Sequence, residues 1–298
     1  MPRTLRRIVV KAGTPLLFNG SFSVDAITVP PHPVRCGPET GDPLQLAVLG
    51  DSLALSAGVH HPDQALATLG ARALADAAQR PVELRMLARI GTTSRWLERQ
   101  VTTALRGTPG LASIVVGGND VLSPTRTRTA ARLLRVQVER LREAGWQVLV
   151  ATCPHVGDQP ALRAWVRETS RRRSRRLAGQ QTVAALQAGA RTVSLYDPEA
   201  HTTEEGITSP DRFHPSARGY ALHLPRLLPA VLAFLDEAHG TPAPPADVSL
   251  DEAAALAVQH PGTHCVPLGS GRAAVHLPPG CAVRLPSSRS AEYAGDSP

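Results

Sequence analysis

From residue 44 onward, short apolar runs alternate with longer segments whose apolar and polar positions recur at helical spacing. The runs at 44–50, 82–87, 112–118, 146–153 and 192–197 have the length of strands. The first of them, LQLAVLG, is almost continuously apolar, as expected of a strand covered on both faces. Between the runs the pattern predicts helices over 62–79, 94–106, 126–144 and 160–188, and a last helix from Pro215 to about 238. Such alternation builds βαβ units, so the expected fold class is α/β with a five-stranded parallel sheet. Residues 1–43 end in the loop-like VPPHPVRCGPETGDP and hold no periodic segment, which reads as an N-terminal arm. The domain proper is expected over 44–238. Residues 239–298 are rich in Pro, Gly, Ser and small side chains and read as a tail of little order.

Composition changes this picture little. Hydrophobic residues make up 42% of the chain, with only four Phe, three Tyr and three Trp, so the core must be built from Ala, Leu and Val. The formal charge of +7 raises nucleic acid as a partner. Nearly all the cations are Arg, with Lys11 the single lysine, and few aromatics interleave with them, so no nucleic-acid binding is expected. No run approaches the roughly 18 apolar residues of a membrane span. The N-terminus starts basic, but Lys11 and Pro15 interrupt what would be the apolar part of a signal peptide. A cytoplasmic location is the default expectation, with export as the alternative. Cys36, Cys153, Cys265 and Cys281 lack metal-binding spacing and read as free thiols, or as a Cys265–Cys281 pair if the chain is exported. Pro261 and Gly262 keep His260 and His264 off a common helix face, so no metal is expected, and no organic cofactor is implied.

Ligand sites of parallel sheets collect beyond the carboxyl ends of the strands. The residues there are Gly50-Asp51-Ser52, then ARIGTTS with Gly91, then Gly117-Gly118-Asn119-Asp120, then CPHVGD; SPDRFHPS precedes the last helix. Taken singly, Ser52 reads as a helix cap, Gly91 as a turn, Asn119-Asp120 as a turn or cap pair, and Asp211-x-x-His214 as a loop. Together at one sheet edge they are the parts of acyl transfer by a serine nucleophile.

These blocks, Gly50-Asp51-Ser52-Leu53, Gly91, Gly117-Gly118-Asn119-Asp120 and Asp211-Arg212-Phe213-His214-Pro215, resemble those of the GDSL or SGNH hydrolases over about residues 44–236. TCPHVG and DRFHPSARGY look most like actinobacterial members, many of which are exported or envelope-associated. The resemblance implies a flavodoxin-like three-layer α/β/α fold, strand order 2-1-3-4-5, and serine esterase or lipase activity. It assigns Ser52 as nucleophile, His214 as its base and Asp211 as the group that orients His214. The Ser52 N–H at a helix N-terminus, the Gly91 N–H and the Asn119 amide would hold the oxyanion. Pro215 keeps His214 out of helical dihedrals and suits the first helical position itself. Phe213 is expected to pack beneath, with Asp51 and Asp120 as loop organisers.

The expected substrate is a small-molecule, lipid or carbohydrate acyl ester, handled by a monomer. A carbohydrate O-acetyl esterase is one alternative; a non-catalytic flavodoxin-like module for an anionic ligand is another, though no phosphate-loop glycine pattern supports it. No long apolar lid is visible, which favours small or surface-accessible acyl groups. RRRSRR at 171–176 reads as a solvated helix face, and Trp96 and Trp165 as packing helices on the sheet. His60, His61 and His201 read as loop residues, and His155 as a candidate to line the cleft.

Overall fold

A computed structural model describes residues 8–9, 16–19, 23–24, 33–199, 205–235 and 246–281. Its strands are β1 (Ile8–Val9), β2 (Ser23–Val24), β3 (Val34–Cys36), β4 (Leu44–Gly50), β5 (Val82–Met86), β6 (Leu111–Val115), β7 (Gln147–Ala151), β8 (Arg191–Val193), β9 (Ala246–Ser249), β10 (His264–Gly269) and β11 (Arg272–His276). The helices are α1 (Leu66–Ala78), α2 (Leu97–Ala104), α3 (Gly118–Leu122), α4 (Thr127–Glu143), α5 (Ala164–Gln187), α6 (Ala217–Leu232) and α7 (Leu250–Ala257). β1 and β2 form a separate two-stranded ribbon.

β4 explains the architecture. Its Leu46 and Val48 face a core with Leu74 of α1 and Leu227 of α6. Its Ala47 and Leu49 face the opposite core, with Val101 of α2 and Leu134 and Val138 of α4. Successive side chains of a strand point to opposite faces, so a strand buried on both sides must be apolar throughout. The result is three layers, with helices on each face of one sheet.

The sheet corrects the expectation of five parallel strands: it has nine, in the order β3-β5-β4-β6-β7-β8-β10-β11-β9, and it is mixed. β5-β4-β6-β7-β8 run parallel. β3 adds antiparallel to β5, so part of the supposed arm is a strand. β10, β11 and β9 add antiparallel beyond β8. Residues 246–281 are therefore not a tail of little order. They bury Val248, Leu256, Cys265, Ala273 and Val275 with Leu186 of α5 as a core of their own. Ser249 opens α7 with a capping box, its hydroxyl accepting from the Glu252 amide while the Glu252 carboxylate accepts from the Ser249 amide. Pro267 inside β10 and a two-residue turn at Ser270-Gly271 give the segment its loop-like composition. Among the remaining boundaries, α6 ends six residues before the expected 238, and α3 was not expected. All four cysteines are free, including Cys265 and Cys281.

Candidate active site

β4 ends in a sharp, strained turn that fixes where the next residues point. Gly50 has φ +132°, and a Cβ built there would lie 1.8 Å from the Val115 carbonyl oxygen of β6. Only glycine fits. The buried side chain of Gln100 on α2 accepts from the Gly50 amide at 2.7 Å and donates to the Gly50 carbonyl at 2.9 Å, a carbonyl that also accepts from the Arg89 amide. Residues 52–58 then form consecutive turns, with Leu55 N–H donating to Asp51 O and Ala57 N–H to Ser52 O. No regular helix begins at Ser52, contrary to expectation; the first one is α1, at Leu66.

Ser52 Oγ lies 2.8 Å from His214 Nε2, and His214 Nδ1 lies 2.7 Å from Asp211 Oδ2. The other oxygen of Asp211 accepts from Ser209 Oγ and from the amides of Phe213 and His214. Burial pushes the Asp211 carboxyl up, but the hydrogen bond and charge of His214 and these amides outweigh it and bring its pKa to about 2. The loop closes on itself through Ser209 N–H to His214 O and Ser216 N–H to Ile207 O. Phe213 packs its ring against the His214 imidazole, edge-on at 5.0 Å between centres. Pro215 does not occupy the first helical position: Ser216 is the cap, accepting from the Gly219 amide, and α6 starts at Ala217. A proline two residues before the helix leaves room for the serine cap that starts it.

Three groups are the candidate oxyanion donors: the amides of Ser52 and Gly91 and the side chain of Asn119. Among the described residues, the amides of Ser52 and Gly91 have no acceptor. Gly91 is exposed with φ +75°, and an added Cβ would meet nothing, so it is the dihedral rather than space that favours glycine there. Asn119 Nδ2 donates to the Thr92 carbonyl at 3.1 Å and lies 3.5 Å from Asp51 Oδ2.

Both neighbouring acids organise backbone. Asp120 is buried and accepts from the Ser94 amide and hydroxyl, which fixes the loop after Gly91 against α3. Asp51 Oδ1 accepts from the Leu53 amide. Burial pushes the Asp51 carboxyl up to about 7, against the pull of the Leu53 amide and of His214. The unfolded chain gives up this proton near pH 4. With the folded pKa raised, stability is lost as the pH rises from about 4 to 7, by about 4 kcal/mol in all. Asp51→Asn keeps an acceptor for Leu53 and is expected to gain on the native chain over that window. Urea unfolding of both proteins at pH 4 and pH 8 checks this; a stability difference that stays constant refutes it.

Of the other residues around the site, Gln100, Ser94 and Arg173 carried no signal of their own in the sequence. Gln100 and Ser94 look like ordinary polar positions of a helix and its approach. Arg173, within RRRSRR, is half-buried, and its guanidinium donates to the carbonyls of Asp120, Ser123 and Thr125, so that run is not wholly a solvated face. Tyr220 is fully buried and donates to the Ala57 carbonyl, tying α6 to the turns after Ser52. His155 lies 2.9 Å from Asp158 and lines a cavity of about 100 Å³ that His214 also borders. His60 and His61 are exposed, and His201 lies outside the described residues. Trp96 and Trp165 do not pack as expected: they are 49% and 60% exposed. Among the described residues no group of His, Cys, Asp or Glu is placed to hold a metal ion, and no helix is long and apolar enough to cross a membrane.

A layered α/β domain with serine, histidine and acid gathered beyond the carboxyl ends of parallel strands is the architecture of the GDSL/SGNH hydrolases. Solved structures share the fold: a G-D-S-L family lipolytic protein from Veillonella parvula (TM-score 0.50, 14% identity, covering 62% of this chain and 97% of that one) and TesA (0.51, 22%, 64% and 99%). The sequence pattern of the GDSL-like Lipase/Acylhydrolase family matches residues 48–222. The GDSL-like esterase Rv1075c of Mycobacterium tuberculosis is 33% identical over 218 residues, 70% of this chain and 69% of that protein. The chain belongs to the GDSL-like lipase/acylhydrolase family and is a carboxylic ester hydrolase.

Proposed function

We propose that the protein hydrolyses carboxylic esters through an acyl-enzyme formed on Ser52. The observation that carries this reading is the unbroken relay Asp211 Oδ2–His214 Nδ1 at 2.7 Å and His214 Nε2–Ser52 Oγ at 2.8 Å. Asp211, ionised down to about pH 2, accepts the Nδ1 proton and so leaves the Nε2 lone pair facing the serine hydroxyl. Ser52 Oγ attacks the ester carbonyl as Nε2 takes its proton, and His214 then gives that proton to the departing alcohol. Water, deprotonated by the same nitrogen, releases the acid and restores the serine.

The negative charge of each tetrahedral intermediate falls to the amides of Ser52 and Gly91 and to Asn119. The bond from Asn119 to Thr92 O fixes the amide plane. Its contact with Asp51 is long at 3.5 Å, and the proton involved is the one the oxyanion would take. Donors held in place before the reaction stabilise the developing charge without reorganising.

A fluorophosphonate probe should react once per chain, with fluoride leaving and the phosphorus bonding to Oγ. Peptide mass mapping is expected to find the adduct on Ser52 and none in Ser52→Ala. Labelling of another residue, or equal labelling of the variant, sinks the assignment.

A further inference from the structure

A groove that the proposed chemistry leaves unassigned has the proposed oxyanion donor Gly91 in its wall. The groove, about 430 Å³, starts at Gly91 and follows α2 past Trp96, Arg99 and Thr103, with Arg89 also in its wall. Among the described residues no Asp or Glu lines it. Arg89 and Arg99 are exposed, and among the described residues neither has a carboxylate partner. The Arg99 Cζ lies over the Trp96 ring, 4.5 Å from its centre. An arginine stacked in this way keeps its N–H edge free for an anion while losing less side-chain freedom when it binds one.

Sheet order says which part of an ester would enter. Gly91 follows β5, on one side of β4, whereas the elements beside His214 in the neighbouring cavity, Pro154 and Leu195, follow β7 and β8 on the other. The leaving oxygen must lie within reach of His214 Nε2 to receive its proton. That places the alcohol toward β7 and β8. The acyl chain takes the direction away from His214, which leads past Gly91 into the groove.

Resting on the Ser52 reading above, we propose that this groove is the acyl subsite and selects acyl groups that carry a negative charge. The simplest such substrate is the ester of a dicarboxylic acid, its far carboxylate paired with Arg89 and Arg99. Two arginines without carboxylate partners, in a groove that Gly91 borders, favour such a substrate by direct pairing and by raising its local concentration.

The test compares kcat/KM of the full chain for p-nitrophenyl hemiglutarate and p-nitrophenyl valerate, which share a five-carbon acyl chain and differ in terminal charge. The hemiglutarate is expected to be favoured about tenfold, mainly through KM, with the preference shrinking in about 0.5 M salt. In Arg89→Gln/Arg99→Gln the ratio should approach one, and in Arg89→Glu/Arg99→Glu it should invert. A matched pair with the charge on the alcohol, 4-carboxyphenyl and phenyl valerate, should show no such preference. A wild-type ratio of one or less, a ratio unmoved by salt and by the glutamine pair, or a preference that follows the alcohol charge overturns the proposal. Valerate turnover that survives Ser52→Ala overturns the Ser52 reading instead, whatever the ratio.

Discussion

Ser52→Ala is expected to lower kcat toward chromogenic acyl esters by about 10⁶-fold with little change in KM. The serine is small and nearly buried, so its loss would remove the proposed covalent route with little change to the surface around it. His214→Ala should cost almost as much, because Ser52 without its base is a poor nucleophile at neutral pH. The double variant should be no worse than either single one, since the two groups act as a unit. Asp211→Asn is milder, about 10⁴-fold, because Asn offers Nδ1 a group that can donate and so favours the wrong tautomer. Single-turnover rates of the four proteins decide the matter: losses that add in the double variant would mean that Ser52 and His214 do not share one step, despite the 2.8 Å between them.

Gly50→Ala is the largest expected effect on the fold. Its Cβ would sit 1.8 Å from the Val115 carbonyl oxygen, at a φ of +132°. That oxygen belongs to a neighbouring strand and accepts from the Asp51 amide, so it cannot swing aside without parting β4 from β6. The cost should exceed about 3 kcal/mol, which for a domain of this size lowers Tm by about 10 °C. Gly91→Ala is the contrast: the added methyl meets nothing, and only the dihedral is strained, at about 1 kcal/mol. Thermal melts of the two variants that show equal losses would contradict the geometry. The glycine before the serine is thus a requirement of strand packing, and the serine's position follows from it.

What could be read from the sequence, and what could not, separates along physical lines. β4, β6 and β7 are visible because strands buried on both faces must be apolar throughout, and such runs stand out between amphipathic helices. Ser52, Gly91, Asn119, Asp211 and His214 stand out in the sequence only as a set, because each follows a strand or precedes a helix, whereas each alone reads as a cap, a turn or a loop. Gln100 is not visible: its role depends on the end of β4, fifty residues away, and a lone glutamine on a helix gives no sign of that. Arg173 is hidden among its neighbours for the same reason. It alone turns inward to three carbonyls, while Arg171 pairs with Asp158 and Glu168 at the surface. Residues 246–281 mislead because β10 carries Pro267 and a bulge, and β11, RAAVH, is too short to show a period. The Ser270-Gly271 turn between them was the local sign of a hairpin, and the Pro- and Gly-rich surroundings masked it.

This segment bears none of the proposed catalytic residues, yet it changes what the enzyme presents to its own copies. Without β10, the outer side of β8 would expose unpaired N–H and C=O groups, an invitation for another chain to add a strand. β10 and β11 cover that side and carry the sheet outward to β9. There the last described strand is four residues long, and exposed Asp247 is ion-paired with Arg272. Short length and a charged margin are poor templates for strand addition. The β10–β11 hairpin thus moves the sheet's margin from an edge of the parallel core to a short, charged strand that is a poor template for another chain.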